Sequence, residues 1–194
     1  MDKKIIISII IICLFITGAI FFSFTYRKEE EKKIYTKHYD LNLIEINNQE
    51  YKEKFIEYQD KLEEAVRNYE QGGEKEEERP NPDFFVEKAR YAQYLEQPDW
   101  AIEILNNLFD YYTNSSVGWN NLAKLYERKK DYNKANEYYF KLIDTFGEKQ
   151  FWNSYYYIAQ NYRAMDNKEK VKEYYDKYKS FGGFDGETEE YLTK

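Results

Sequence analysis

Cysteine, histidine and proline are scarce in this 194-residue chain, which has one Cys, one His and three Pro. Cys13 stands alone, so no internal disulfide can form and a small disulfide-stapled framework is excluded. His38, the sole histidine, has no cysteine or paired carboxylate at ligand spacing, so the sequence offers no zinc site. Glycine is also sparse, and its two doublets, Gly72-Gly73 and Gly182-Gly183, follow helical patterns rather than strands. A glycine-rich phosphate loop is therefore missing. Positive charge is not in excess either: 29 Lys and Arg against 36 Asp and Glu give a net charge of -7. Without a cationic stripe, a nucleic-acid partner is excluded. Neighbouring carboxylates such as Glu63-Glu64 and Glu189-Glu190 read as solvated faces. The chain thus lacks the mechanical parts of an active site, and we expect no enzyme, no cofactor and no metal.

Aromatic residues are plentiful at 20%, including 22 tyrosines. Six positions carry a pattern. Trp119, Leu122, Ala123, Tyr126, Ala135 and Tyr139 recur as Tyr155, Ile158, Ala159, Tyr162, Val171 and Tyr175, every one moved by 36 residues. A weaker copy lies upstream, where Phe85, Ala89, Ala101, Leu105 and Leu108 fall 34 residues before Trp119, Ala123, Ala135, Tyr139 and Leu142. There Lys88 replaces the leucine and Ala92 the tyrosine. A period of this size marks a two-helix repeat. The small residues let the two helices of a unit approach closely, and the aromatics fill the space between units. Asp131 is placed to cap a helix over 133–145, which Gly147 closes in a left-handed conformation. Asp166-Asn167 makes the next turn, Gly182-Gly183 ends the last helix, and Pro82-Asp83 and Pro98-Asp99 open the first two.

These residues resemble the tetratricopeptide repeat, whose pattern runs W-x2-L-G-x2-Y, then a small residue and an aromatic on the second helix. The resemblance covers residues 83–183. Ala123 stands for the family's Gly, and the last unit has Tyr155 for Trp, Ile158 for Leu and Val171 for Ala. The resemblance implies an all-α fold: a right-handed α-α superhelix of about three units, the first one weak. It further implies that the first helix of each unit lines a concave face that binds a protein or peptide. Carried over position by position, the groove would comprise Val86, Arg90 and Gln93 in the first unit. Asn120, Asn121, Lys124 and Glu127 belong to the second, and Tyr156, Gln160 and Arg163 to the third. The basic clamp that some members use for a terminal carboxylate is not matched. Asn121 fits it, but Asn153 and Tyr157 stand where cations are expected. Arg90, Lys124 and Arg163 still favour an extended peptide of acidic character.

At the other end, an apolar run opens at Ile5 and closes at Phe24 without a charge. At about 1.5 Å per residue it reaches across a bilayer's hydrocarbon core. A cleavable signal peptide would use Thr17-Gly18-Ala19 as its cleavage site, but Ile20-Phe21-Phe22 prolongs the run beyond it. We therefore expect an uncleaved signal-anchor over 1–26 and a single-pass membrane protein. Isoleucines ahead of Cys13 exclude a bacterial lipid-attachment motif. Lys3 and Lys4 precede the span, while Arg27, Lys28, Lys32 and Lys33 follow it, interleaved with Glu29-Glu30-Glu31. These charges leave the orientation open. The short lysine-bearing tail favours placing the repeat domain outside the cytoplasm.

A juxtamembrane linker over 27–46 leads to an amphipathic helix over 47–71. Tyr51, Phe55, Tyr58, Leu62, Ala65 and Tyr69 form a heptad seam on it. Two arrangements stay open: a coiled coil making a homo-oligomer, or a helix docked over the first repeat's exposed face. An acidic linker over 72–82 and a tail over 184–194 flank the repeats. The layout resembles bacterial envelope proteins that join an N-terminal span to a short repeat domain. It fits a membrane-anchored adaptor or, alternatively, a self-assembling structural component that oligomerises through the heptad helix.

Overall fold

A computed structural model describes residues 39–44 and 48–194, and these are helical without a strand. The apolar run at 5–24 lies outside the described residues, as does most of the linker at 27–46. Among the described residues no helix is long and apolar enough to cross a membrane. The elements below all belong to the compact unit Leu41–Lys194.

The first long helix, α1, spans Gln49–Gln71 and is capped by Asn48, whose side chain accepts from the Tyr51 N–H at 3.2 Å. Its buried residues are Phe55, Gln59, Leu62 and Val66. The expected seam is thus rotated slightly, with Val66 inside instead of Ala65 and Tyr58 only half-buried. The reason is the partner surface. This face lies on α2 (Pro82–Tyr94) and α3 (Pro98–Asn107), where Phe55 meets Trp100 at 5.9 Å and Tyr58 stacks on Tyr91 at 5.8 Å. Within the described chain, α1 is thus docked over the first hairpin.

Four more helices follow as two hairpins, α4 (Ser116–Arg128) with α5 (Tyr132–Phe146), and α6 (Asn153–Ala164) with α7 (Lys168–Ser180). Short polar caps set the starts of α2, α4, α5 and α7. Asn81 accepts from Asp83 N–H, Ser115 from Gly118 N–H, Asp131 from Lys134 N–H and Asn167 from Lys170 N–H, all between 2.9 and 3.2 Å. Each such cap satisfies an orphan amide and contributes about 1 kcal/mol. Asn167, rather than Asp166, is the capping residue at its turn. Gly147 has a positive φ of 92° as expected, but its ψ of 148° is extended, not left-handed helical. The chain leaves α5 there and enters a single turn, Glu148–Phe151. The expected tail at 184–194 contains a helix, α8 (Gly186–Thr193), whose start Asp185 caps.

The three hairpin turns are copies of one another. Glu96, Lys130 and Asp166 take φ of 56°, 60° and 55°, at spacings of 34 and 36 residues. The amide that follows each closes on the carbonyl five residues earlier: Gln97 to Ala92 at 2.8 Å, Asp131 to Tyr126 and Asn167 to Tyr162 at 2.9 Å. These are the spacings at which the sequence repeats. None of the three residues is glycine, although a left-handed conformation costs an L-residue roughly 1–2 kcal/mol. Replacing Lys130 by Gly should therefore stabilise the chain by about 0.5–1 kcal/mol, after the entropy that glycine loses on folding. Denaturant midpoints of Lys130→Gly and parent check this, and a lower midpoint for the variant would show that the turn is unstrained.

Packing follows the repeat. Ala89, Ala101, Ala123, Ala135, Ala159 and Val171 are sealed between the helices of their hairpins, and Tyr139 and Tyr175 are fully buried. Leu122 and Ile158 are likewise enclosed, each burial stabilising by roughly 1.5–3 kcal/mol. Tyr126 and Tyr162 are only half-buried, contrary to a simple filler role. They stack on the second helix instead, Tyr126 on Tyr138 at 5.7 Å and Tyr162 on Tyr174 at 5.5 Å, again one repeat apart. Gly118 admits a close neighbour: a Cβ there would stand 2.8 Å from the Phe109 ring, which stacks on Trp119 at 6.0 Å.

Candidate functional site

The residues proposed for the groove lie on α2, α4 and α6, the first helices of the hairpins. Many of them are already engaged. On α2, Arg90 is exposed, pairs with Glu87 and lies 5.5 Å from the Tyr91 ring centre. Gln93 donates to the Ala89 carbonyl at 3.3 Å and accepts from Arg128 on α4. Val86 is half-buried beside them. On α4, Asn121 turns back onto its own helix, donating to the Val117 carbonyl at 2.8 Å. Asn120 is half-buried and Lys124 is exposed.

Glu127 behaves differently. Burial pushes its carboxyl pKa up, opposed by the Tyr139 hydroxyl, the Asn161 amide and the Lys124 charge. The Tyr139 hydroxyl, wholly buried beside this carboxylate, closes no well-formed hydrogen bond. Burial, and then the Glu127 charge, drive its phenol far above the ordinary tyrosine range. Asn161 donates to Asn136 at 2.8 Å, which leaves the Asn136 amide nitrogen without a partner among the described residues. Glu127, Asn136, Tyr139 and Asn161 thus form one polar cluster joining α4, α5 and α6. Neither Asn nor Tyr139 stood out as polar in the sequence, because Tyr139 occupies a repeat position normally read as apolar filler.

On α6, Tyr156 packs on Tyr178 at 5.3 Å. Gln160 donates to Thr188 Oγ1 at 2.7 Å and reaches Asp185 Oδ2 at 3.4 Å. Arg163 lies 3.8 Å from Glu187 and 5.3 Å from the Tyr191 ring centre. Side-chain contacts therefore pass from α2 to α4 through Gln93, from α4 to α6 through Glu127, and from α6 to α8 through Gln160. Two further residues were missed from the sequence. Tyr175 Oη accepts from the Asp185 N–H at 2.8 Å and donates to the Asp185 carbonyl at 2.9 Å. Lys179 meets Glu189 at 3.1 Å. The signal for them was the helix start at Asp185, three residues ahead of Thr188.

Among the described residues no cluster of His, Cys, Asp or Glu is arranged to hold a metal ion. Neither a family model, nor a curated protein, nor a solved structure matches this chain, so its own residues carry the functional reading.

Proposed function

We propose that this protein is a membrane-anchored adaptor of the tetratricopeptide type, holding a protein or peptide ligand in the concave groove of a right-handed superhelix of about three units. The apolar run at 5–24 serves as its single-pass anchor, with the repeat domain outside the cytoplasm. One observation carries the reading: three hairpin turns with nearly the same positive φ and the same hydrogen bond, at the two spacings where the sequence repeats. Units that repeat in backbone as well as sequence bury their apolar faces by stacking, and the surface so produced is a binding surface. Lys124 is the natural first contact for a ligand, since it is exposed and makes no ion pair among the described residues. Self-assembly through the heptad helix is the alternative. It is less favoured because Phe55, Leu62 and Val66 are covered within the chain itself.

Crosslinking from Lys124 in intact membranes, with identification of the captured protein, tests the adaptor. Reversing charge at both Lys124 and Arg163 should then reduce capture by at least about tenfold. For the exposed Lys124 alone the melting temperature should hardly move, because exposed substitutions usually stay within about 0.5 kcal/mol, so the single Lys124 reversal separates lost binding from the lost Arg163–Glu187 contact. Equal capture by variant and parent would move the binding surface elsewhere. A fragment starting at Asn47 that remains monomeric at high concentration would count further against self-assembly.

A further inference from the structure

Part of the groove has an occupant already, and it belongs to the chain. Residues 185–190 carry four carboxylates, from Asp185, Glu187, Glu189 and Glu190, with no cation among them. They face the third unit, where the sequence pointed to an acidic ligand. Gln160 holds Thr188 and Asp185, Arg163 approaches Glu187, and Lys179 binds Glu189. Tyr175 grips the Asp185 backbone through both its N–H and its carbonyl. Asp185 Oδ2 meanwhile caps α8, accepting from Thr188 N–H at 3.0 Å and from its hydroxyl at 2.5 Å. The attached structure is nevertheless slight. α8 has eight residues, too few to hold a helix alone. The Glu187 side chain is 84% exposed, so its ion pair with Arg163 contributes little. Leu192 is its one side chain packed on the hydrophobic core, and Gly182, at φ 89°, sits in the connection to α7. Docking is thus concentrated in the polar bonds around Asp185 and the fully buried Thr188.

We propose that residues 185–193 are a resident ligand of the groove's third-unit end, displaced by a partner that presents the same chemistry. That chemistry is an acidic helix start: a capping Asp, a Thr three residues on, and carboxylates in the first turns. The proposal rests on the groove reading above and specifies both its ligand class and its regulation. A segment tethered by so short a connection is present at an effective concentration on the order of millimolar. A partner at micromolar concentration therefore enters only if it gains contacts beyond those of α8, and Lys124 offers one on the neighbouring unit. An acidic segment lacking the capping pair is rejected, because Gln160 and Tyr175 remain satisfied by the chain's own Asp185.

The test uses the full chain and, as probe, a fluorescently labelled synthetic peptide of residues 184–194. Parent protein should bind it poorly, since the site is filled. Thr188→Arg, which cannot keep an arginine in the buried site, and Asp185→Ala, which removes the cap, should each bind it at least about tenfold more tightly. Adding Gln160→Ala to the Asp185→Ala chain should abolish that gain. Hydrogen exchange on the unmodified chain gives a reading independent of any variant's folding. Amides of residues 188–192 should exchange at least about tenfold faster than those of 171–175, and equal protection would overturn the proposal. So would folded variants that leave peptide binding at the parental level, for α8 would then be a fixed cover. If those results coincide with normal partner capture at Lys124, competition alone falls and the groove reading stands. Loss of capture at Lys124 alongside the peptide gain would do the reverse.

Discussion

Enlarging Ala123 to leucine should destabilise the protein by about 1–3 kcal/mol, through overpacking. Ala123 is fully enclosed where α4 crosses α5, in a cluster with Trp119, Tyr139, Leu142 and Tyr155. Tyr139 cannot retreat easily, because it is fully buried and stacks on Tyr157 at 5.2 Å. Added methyl groups would therefore push the two helices of the hairpin apart and disturb the next hairpin with them. Urea midpoints measure the effect, and Ala123→Ser, which is close in volume, serves as the comparison. A leucine variant that unfolds at the parental midpoint would mean that the crossing is wider than the buried alanine indicates.

A second large effect follows from Lys88, the residue that breaks the repeat's leucine position. Its side chain is buried beneath α1, with Nζ 5.5 Å from the Phe55 ring centre. Burial lowers its pKa from 10.5 to about 8, with Glu63 and Glu103 partly opposing the fall. The unfolded chain therefore binds a proton that the folded chain resists over the interval from about 8 to 10.5. The penalty is complete below the folded value and is relieved as pH rises through it. Stability should accordingly increase by about 2 kcal/mol between about pH 7 and 9.5, while Lys88→Met should flatten that rise. Denaturant titrations of parent and variant at the two pH values decide the matter. Parallel profiles for the two proteins would assign the rise to another group. Above this window the buried tyrosines, whose pKa values are raised, reverse the trend as the unfolded chain ionises.

The hairpins were readable because their requirements are local and periodic. An alanine at a helix crossing and an aromatic one turn away recur with the backbone, so Ala123 with Ala159, and Tyr139 with Tyr175, announce themselves. The turns were harder to read. Glu96, Lys130 and Asp166 adopt an angle that glycine favours, and nothing in their side chains signals it. The residues proposed for the groove lie on α2, α4 and α6, yet Gln93, Glu127, Gln160 and Arg163 engage side chains of neighbouring helices. Which side chain a neighbour will claim depends on stacking between units, and repeat spacing alone does not encode that. α8 was missed for another reason: two turns with only Tyr191 and Leu192 as large apolar residues show no periodicity, and its stability comes from Tyr175 and Gln160. The heptad helix shows the same limit, since the partner rotated its buried face from Ala65 to Val66.

The identical turns also set a unit of exchange for the whole array. Lys130 and Asp166 take nearly the same positive φ and are followed by the same hydrogen bond, one hairpin apart. A chain spliced directly from Lys130 to Asn167 would meet at the join a turn it already contains, and would be 36 residues shorter. Duplication of the same stretch would be equally seamless, since each hairpin contacts mainly its neighbours. Array length can thus change in whole hairpins while α1 and α8 keep their own seats, and the extent of the helical stack becomes a matter of copy number rather than of inventing a new core.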